Sequence, residues 1–187
     1  MLGYETYGIE PNEKMAEYAK KSLGLNVVCA KLQNVKFNDN YFDIIHASDV
    51  LEHILELREA INFIRGLLKE DGILVMGQPL MYNRSFFNLL LKITMFFKKN
   101  KYAPNPPAHL WEFTPGTLKV FLKERGFKIV YCKIFESKAK PLTAFRHPTF
   151  KNRAGLYFKN ISSIISNSIL LKPFELGDRA LVACKKS

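Results

Sequence analysis

Apolar residues in this chain recur with two periods, and the switch between them marks out its elements. Thr6-Tyr7-Gly8-Ile9 reads as a short strand that ends in Glu10-Pro11-Asn12. Asn12 is placed to cap a helix with Glu13 in its first turn. Met15, Tyr18, Ala19 and Leu23 then recur at helical spacing until Gly24 stops them. Val27-Val28-Cys29-Ala30 is the next strand, and Asn38-Asp39-Asn40 is a turn. Phe42-Asp43-Ile44-Ile45 opens a buried strand that turns at Ser48-Asp49. A helix over 57–68 carries Leu57, Ile61, Ile64, Leu67 and Leu68 on one face, and Glu70-Asp71-Gly72 ends it. Ile73-Leu74-Val75-Met76 is again a strand, broken by Gln78-Pro79. Strand, helix and strand in that order predict a parallel βαβ unit.

Further along, Asn83–Lys99 packs Phe86, Phe87, Leu89, Leu90, Leu91, Ile93, Met95, Phe96 and Phe97 into a short helix ending in Lys98-Lys99. Tyr102–Pro107 is Pro-rich and irregular. Thr114-Pro115 starts a helix over 116–125 with Leu118, Phe121 and Leu122 inward and Gly126 at its end. Phe127–Phe135 is a strand, Leu156–Leu171 an apolar helical stretch, and Arg179–Cys184 a last strand. Alternating strands and helices up to residue 135 predict a three-layer α/β domain with a mostly parallel sheet.

At 187 residues the chain is long enough for one domain with a full core. Its net charge of +11 changes the picture, because it favours an anionic partner: nucleic acid, an acidic substrate or an anionic membrane face. Cys29, Cys132 and Cys184 are far apart, on apolar strands and without a C-x-x-C, which predicts reduced core thiols and a cytoplasmic location. The first residues lack a signal-peptide pattern, and no apolar run reaches the roughly 20 residues that span a bilayer.

Ligands of open α/β sheets sit beyond the carboxyl ends of the strands. Glu10 lies at such an end and has the chemistry to accept hydrogen bonds from both hydroxyls of a ribose; the plainer alternative is a solvated acid near a helix N-terminus. Asp49 follows another strand, where it holds a ligand or caps the turn. His53 and His109 are the candidate general bases, since imidazole titrates near neutral pH; a structural role for His53 is the stronger alternative. His46, mid-strand, reads as a core histidine. No His, Cys or carboxylate cluster shows metal-ligand spacing, and neither a nucleophile elbow nor a phosphate-binding loop is present.

Several segments occur in an order that resembles a known family: Tyr7-Gly8-Ile9-Glu10-Pro11, Phe42-Asp43-Ile44-Ile45, Asp49-Val50-Leu51-Glu52-His53, Leu67-Leu68-Lys69-Glu70-Asp71-Gly72 and His109-Leu110-Trp111-Glu112-Phe113-Thr114-Pro115, with Gly126-Phe127 after them. The chain is similar to class I S-adenosylmethionine-dependent methyltransferases, in particular a bacterial group with V-L-E-H and H-L-x-x-F-T-P segments. The resemblance covers residues 5–135 and the last strand. It implies a Rossmann-like sheet with an antiparallel C-terminal strand, S-adenosylmethionine as cofactor, and Glu10, Pro11, Leu32, Ala47 and Asp49 around it. Glu10 would hold the ribose, Leu32 would pack on the adenine, and Ala47-Ser48-Asp49 would lie under the sulfonium and amino-acid end. Many relatives carry an Asp where Lys31 stands, and Lys31 has no acceptor to offer the adenine amino group. The family's opening strand and G-x-G-x-G loop have no counterpart in the sequence, so a first βα unit of roughly 30 residues is expected to be missing.

One domain over 1–187 is expected, with a lid or substrate insertion at 80–111 and a basic insertion at 138–178. Both insertions flank apolar helices with cations: Lys92, Lys98, Lys99 and Lys101 in one, Lys151, Arg153, Lys159 and Lys172 in the other. They are read as a greasy cavity for a small-molecule, glycan or lipid-linked acceptor, as peripheral contact with the inner membrane face, or as a lid packed on the domain. Nucleic acid is not the expected partner, because no stacking motif with flanking Arg is present. Two rival classes stay open. One is a catalytically inactive binding or oligomerisation module, for which a homodimer would cover exposed sheet edges. The other is an RNA-directed methyltransferase.

Overall fold

The computed structural model describes residues 3–80, 109–138, 150–168 and 175–187, with the side chains of 150–155 set aside. The predicted helix at 83–99 and the Pro-rich stretch at 102–107 lie outside the described residues, as does most of the expected lid. Two parallel strands, β1 (Gly8–Ile9) and β2 (Val27–Val28), flank helix α1 (Glu13–Leu23) in sequence. A larger sheet follows. It is built from β3 (Phe42–Ser48), β4 (Leu68–Pro79), β5 (Phe127–Phe135) and β6 (Arg179–Lys186) in the order β3-β4-β6-β5. β3 and β4 are parallel across helix α2 (Leu57–Leu67), as the βαβ pattern predicts. β6 runs antiparallel to both of its neighbours, so the C-terminal strand inverts the sheet.

Local chemistry accounts for the helix ends. The Asn12 side chain accepts from the Met15 N–H at 3.2 Å, and Gly24 takes a left-handed φ of 65° to close α1. Helix α3 (Pro115–Glu124) begins at Thr114, whose hydroxyl accepts from Thr117 N while Thr117 answers to Thr114 N. Leu57, Ala60, Ile61, Ile64 and Leu67 of α2 are buried, and Leu118 and Leu122 of α3 join Leu68, Leu74, Met76, Phe127, Val182 and Cys184 in one core.

Several expectations need correction. The stripe Met15, Tyr18 and Leu23 is exposed, and Ala16 is the buried residue of α1, because a two-stranded sheet is too narrow to cover the whole stripe. β3 is not buried on both faces: Ile45 packs on the core and Ala47 is buried, while Ile44 is 56% exposed. His46 shares that open face and bonds to Ser48 Oγ at 2.9 Å, so it is not a core histidine. Glu70-Asp71-Gly72 does not separate α2 from the next strand. β4 begins at Leu68, and the three residues lie in an irregularity where β3 advances from Phe42 to Ile44 while β4 advances from Leu68 to Ile73. Cys29 is exposed beyond β2 rather than in the core, whereas burial raises the Cys132 thiol and pushes Cys184 up to about 12.

Helix α4 (Phe150–Ser166) starts before the predicted apolar stretch and ends inside it. Ser162, Ser163 and Ser166 are buried, while Tyr157, Phe158 and Ile164 are exposed. Lys159 belongs to the inward side, not to a solvated basic flank: its ammonium bonds Glu136 and, at 2.6 Å, Asp178. Asn167 and Ser163 clip the same helix end to the Glu136 main chain.

Candidate functional site

The carboxyl end of β1 presents Glu10. Its N–H donates to Val28 O at 3.0 Å, and its Oε1 accepts from Asn12 N at 2.8 Å. Pro11 follows and is exposed, and Leu32 opens a short 3-10 turn (Leu32–Asn34) and packs against the main core. Glu10 and Leu32 therefore follow β1 and β2 respectively, as the sequence places them.

The carboxyl end of β3 carries Ala47, Ser48 and Asp49. Ser48 Oγ accepts from Gly77 N at 2.9 Å, and a Cβ on Gly77 would stand 2.7 Å from that oxygen, so a side chain there would displace the serine. Asp49 has a φ of 53°, and its N–H donates to Gly77 O at 3.0 Å. Its carboxylate takes Arg179 Nη1 on both oxygens, at 2.6 and 2.9 Å. Sequence reasoning missed Arg179. It opens an antiparallel strand beside the carboxyl end of β4, paired with Pro79, and only that inversion brings it to Asp49.

A 3-10 turn (Leu51–His53) follows, with Glu52 at 0% exposure. Gln78 Nε2 donates to Glu52 Oε2 at 3.2 Å. The Glu52 carbonyl accepts from Leu110 N at 2.9 Å and Trp111 N at 3.2 Å, and Trp111 Nε1 donates to Ile54 O at 2.7 Å. Phe113 is buried and bridges Leu80. These bonds explain the H-L-x-x-F-T-P segment: its main chain is clipped to the V-L-E-H turn, and its Thr starts α3. His53 and His109 meet as a consequence, with ring centroids 5.1 Å apart. His53 is exposed and His109 half-buried. Two concave surfaces, one lined by Arg65, Glu124 and Gly126 and one along α3, lie away from these strand ends.

Element order and strand order together give the Rossmann-like α/β fold of the class I methyltransferases. Solved structures agree at the level of the fold. A SAM-dependent methyltransferase from Archaeoglobus fulgidus superposes with a TM-score of 0.58 at 20% identity, covering 98% of this chain and 77% of that one. One from Thermotoga maritima does so with 0.58 at 21%, covering 96% and 72%. Residues 1–76 match the family described as a methyltransferase domain. Over 131 residues the chain is 27% identical to the ubiquinone/menaquinone biosynthesis C-methyltransferase UbiE of Campylobacter jejuni, which is 64% of this chain and 53% of that protein. The chain thus spans about half the length of the curated relative it matches.

Proposed function

We propose that this chain takes part in methyl transfer from S-adenosylmethionine to a small or lipid-linked acceptor. The observation that carries the reading is Glu10 at the carboxyl end of β1 with Ala47 and Asp49 at the carboxyl end of β3, on a methyltransferase fold. The donor set fits a nucleoside. Glu10 is fixed by main-chain bonds yet keeps carboxylate acceptor capacity for a ribose diol, and Leu32 offers an apolar face for a base. Ala47 leaves room for close approach, and Asp49, held by Arg179, is a positioned carboxylate for an ammonium group. When bound, S-adenosylmethionine would supply an electrophilic methyl group. The protein's share is to orient the partners in line, which carries much of such a rate. On this reading His53 and His109, whose rings lie 5.1 Å apart, take up the proton of a hydroxyl or ammonium acceptor. The likeness to a quinone-biosynthesis methyltransferase supports an acceptor with a lipid tail.

Calorimetric titration with S-adenosylhomocysteine tests the cofactor site. Two hydrogen bonds to a charged acceptor contribute about 1.5–3 kcal/mol each, so Glu10→Ala is expected to weaken binding by roughly 100-fold or more. Unchanged affinity in that variant would remove Glu10 from the site. No binding by the folded parent chain would favour the inactive-module reading.

Peripheral membrane contact has one observation in its favour: Tyr157, Phe158 and Ile164 are exposed together on α4 of a chain with net charge +11. No helix among the described residues is long and apolar enough to cross a membrane. Sedimentation with anionic vesicles is expected to carry the protein down, less so at high salt and with Tyr157→Ser/Phe158→Ser. Equal recovery with neutral vesicles would count against attraction to an anionic surface, and recovery with neither would count against membrane docking.

A further inference from the structure

Glu52, His53 and His109 form the group among the described residues whose side chains gather in a metal-ligand pattern. One carboxylate oxygen and one imidazole nitrogen from each histidine all lie within 4.8 Å of one another. The spacing along the chain hides this set, because the two histidines stand 56 positions apart. The main chain holds the set together: the Glu52 carbonyl receives the two N–H groups that follow His109.

The second observation is the state of the Glu52 carboxylate. The side chain is fully buried, and Gln78 serves Oε2. Among the described residues Oε1 has no hydrogen-bond partner; its near neighbour is His53 Nε2 at 3.9 Å. Leaving a buried carboxylate oxygen without a partner forfeits its hydration, and native structures seldom tolerate it. The carboxylate shares its cluster with two imidazoles, which are themselves neutral-state ligands for a cation.

We propose that Glu52 Oε1, His53 and His109 bind one divalent first-row transition-metal ion. Two nitrogens and one oxygen suit Zn²⁺, Co²⁺, Fe²⁺ or Ni²⁺ better than the oxygen-seeking Mg²⁺ or Ca²⁺. Bonds of about 2.0–2.1 Å around a tetrahedral ion place ligand atoms roughly 3.3 Å apart. Rotation of the two imidazoles, one of them exposed, closes the difference. Three protein donors leave a position open for water or for an acceptor oxygen, whose proton the ion makes easier to remove, in place of the two imidazoles, which do not act as bases while they are ligands. That use of the open position rests on the methyl-transfer reading; the metal binding itself does not.

The test is calorimetric titration of the 187-residue chain with Zn²⁺, and with Co²⁺ followed by its visible absorption, beside the same titrations with Mg²⁺. Expected are one-to-one binding in the micromolar range or tighter, a tetrahedral or five-coordinate Co²⁺ spectrum, and at least a 100-fold preference over Mg²⁺. His53→Ala and His109→Ala, each with an unchanged circular dichroism spectrum, are expected to weaken Zn²⁺ binding by at least 30-fold. His46→Ala is expected to leave it unchanged. Absence of binding by the folded parent chain, or equal affinity in the His53→Ala/His109→Ala double variant, overturns the site. Titration with S-adenosylhomocysteine on the same samples separates the two readings: nucleoside binding without Zn²⁺ binding removes the metal alone, and the reverse removes the cofactor site alone.

Discussion

Replacing Lys159 with Met is expected to lower the free energy of unfolding by about 3–5 kcal/mol, the usual loss when one partner of a buried ion pair is removed. The Glu136 side chain is 0% exposed and Lys159 15%, so little water reaches the pair. Asp178 is the second acid on the same ammonium, and it also receives Ser137 N at 2.7 Å and Ser137 Oγ at 2.8 Å. Without the lysine, two carboxylates face each other across the join of β5, β6 and α4. Urea unfolding of parent and variant measures the loss. Lys119→Met is the contrast, since Lys119 bonds Glu175 in a largely exposed pair worth about 0–1 kcal/mol. The hydrogen bonds that Lys119 donates to Glu175 raise the Lys119 pKa, but screening at such a site leaves little of that as stability. Equal, small losses in both variants would show that water reaches Glu136.

Among the described glycines, Gly177→Ala is expected to be the most damaging added methyl, at about 2–3 kcal/mol or more. An added Cβ would stand 2.3 Å from the carbonyl carbon and oxygen of Phe135 and 2.9 Å from Glu136 N. These are backbone atoms, so no side-chain rotation relieves the clash, and a φ of 156° adds strain for any residue with a Cβ. Gly116→Ala is the control. Its Cβ meets nothing nearer than Thr114 Oγ1 at 4.0 Å, and alanine in the first turn of α3 should stabilise by about 0.5–1 kcal/mol. Thermal melts of both variants check the pair; a Gly177→Ala midpoint equal to the parent's would show that β5 and β6 can separate there without cost.

What the sequence made legible was local. Asn12 and Gly24 bound α1, Thr114 and Pro115 start α3, and the spacing of Leu57, Ile61, Ile64 and Leu67 sets the buried face of α2, because each signal acts within a turn or two of chain. The strand-end positions of Glu10 and Asp49 were readable locally, while the ligand role given to Glu10 came from the family resemblance. Burial was harder to read. Ile44 and His46 look like core residues in a strand, yet their exposure depends on what covers that face of the sheet, which no local pattern records. Lys159 looks like a solvated cation until β5 and β6 bring Glu136 and Asp178 to it. Arg179 reaches Asp49 across 130 residues, and His109 reaches Glu52 only through main-chain bonds of its successors. Such meetings belong to topology rather than to spacing.

The aromatic junction beside β3 has a consequence for how the molecule opens. Tyr7 precedes β1, and its ring meets Phe37, Tyr41 and Phe42 edge-on at 5.5–5.9 Å, while its hydroxyl touches that of Tyr41 at 3.0 Å. β1 and β3 themselves share no ladder. Among the described residues no main-chain hydrogen bond joins β1-α1-β2 to the larger sheet, so its amides are expected to exchange with solvent through a lower-energy opening than those of β4 and β6. Glu10 rides on the weaker unit and Asp49 on the stronger. A ligand held by both would join the two units, and its binding free energy would appear as slowed exchange at Gly8, Ile9, Val27 and Val28.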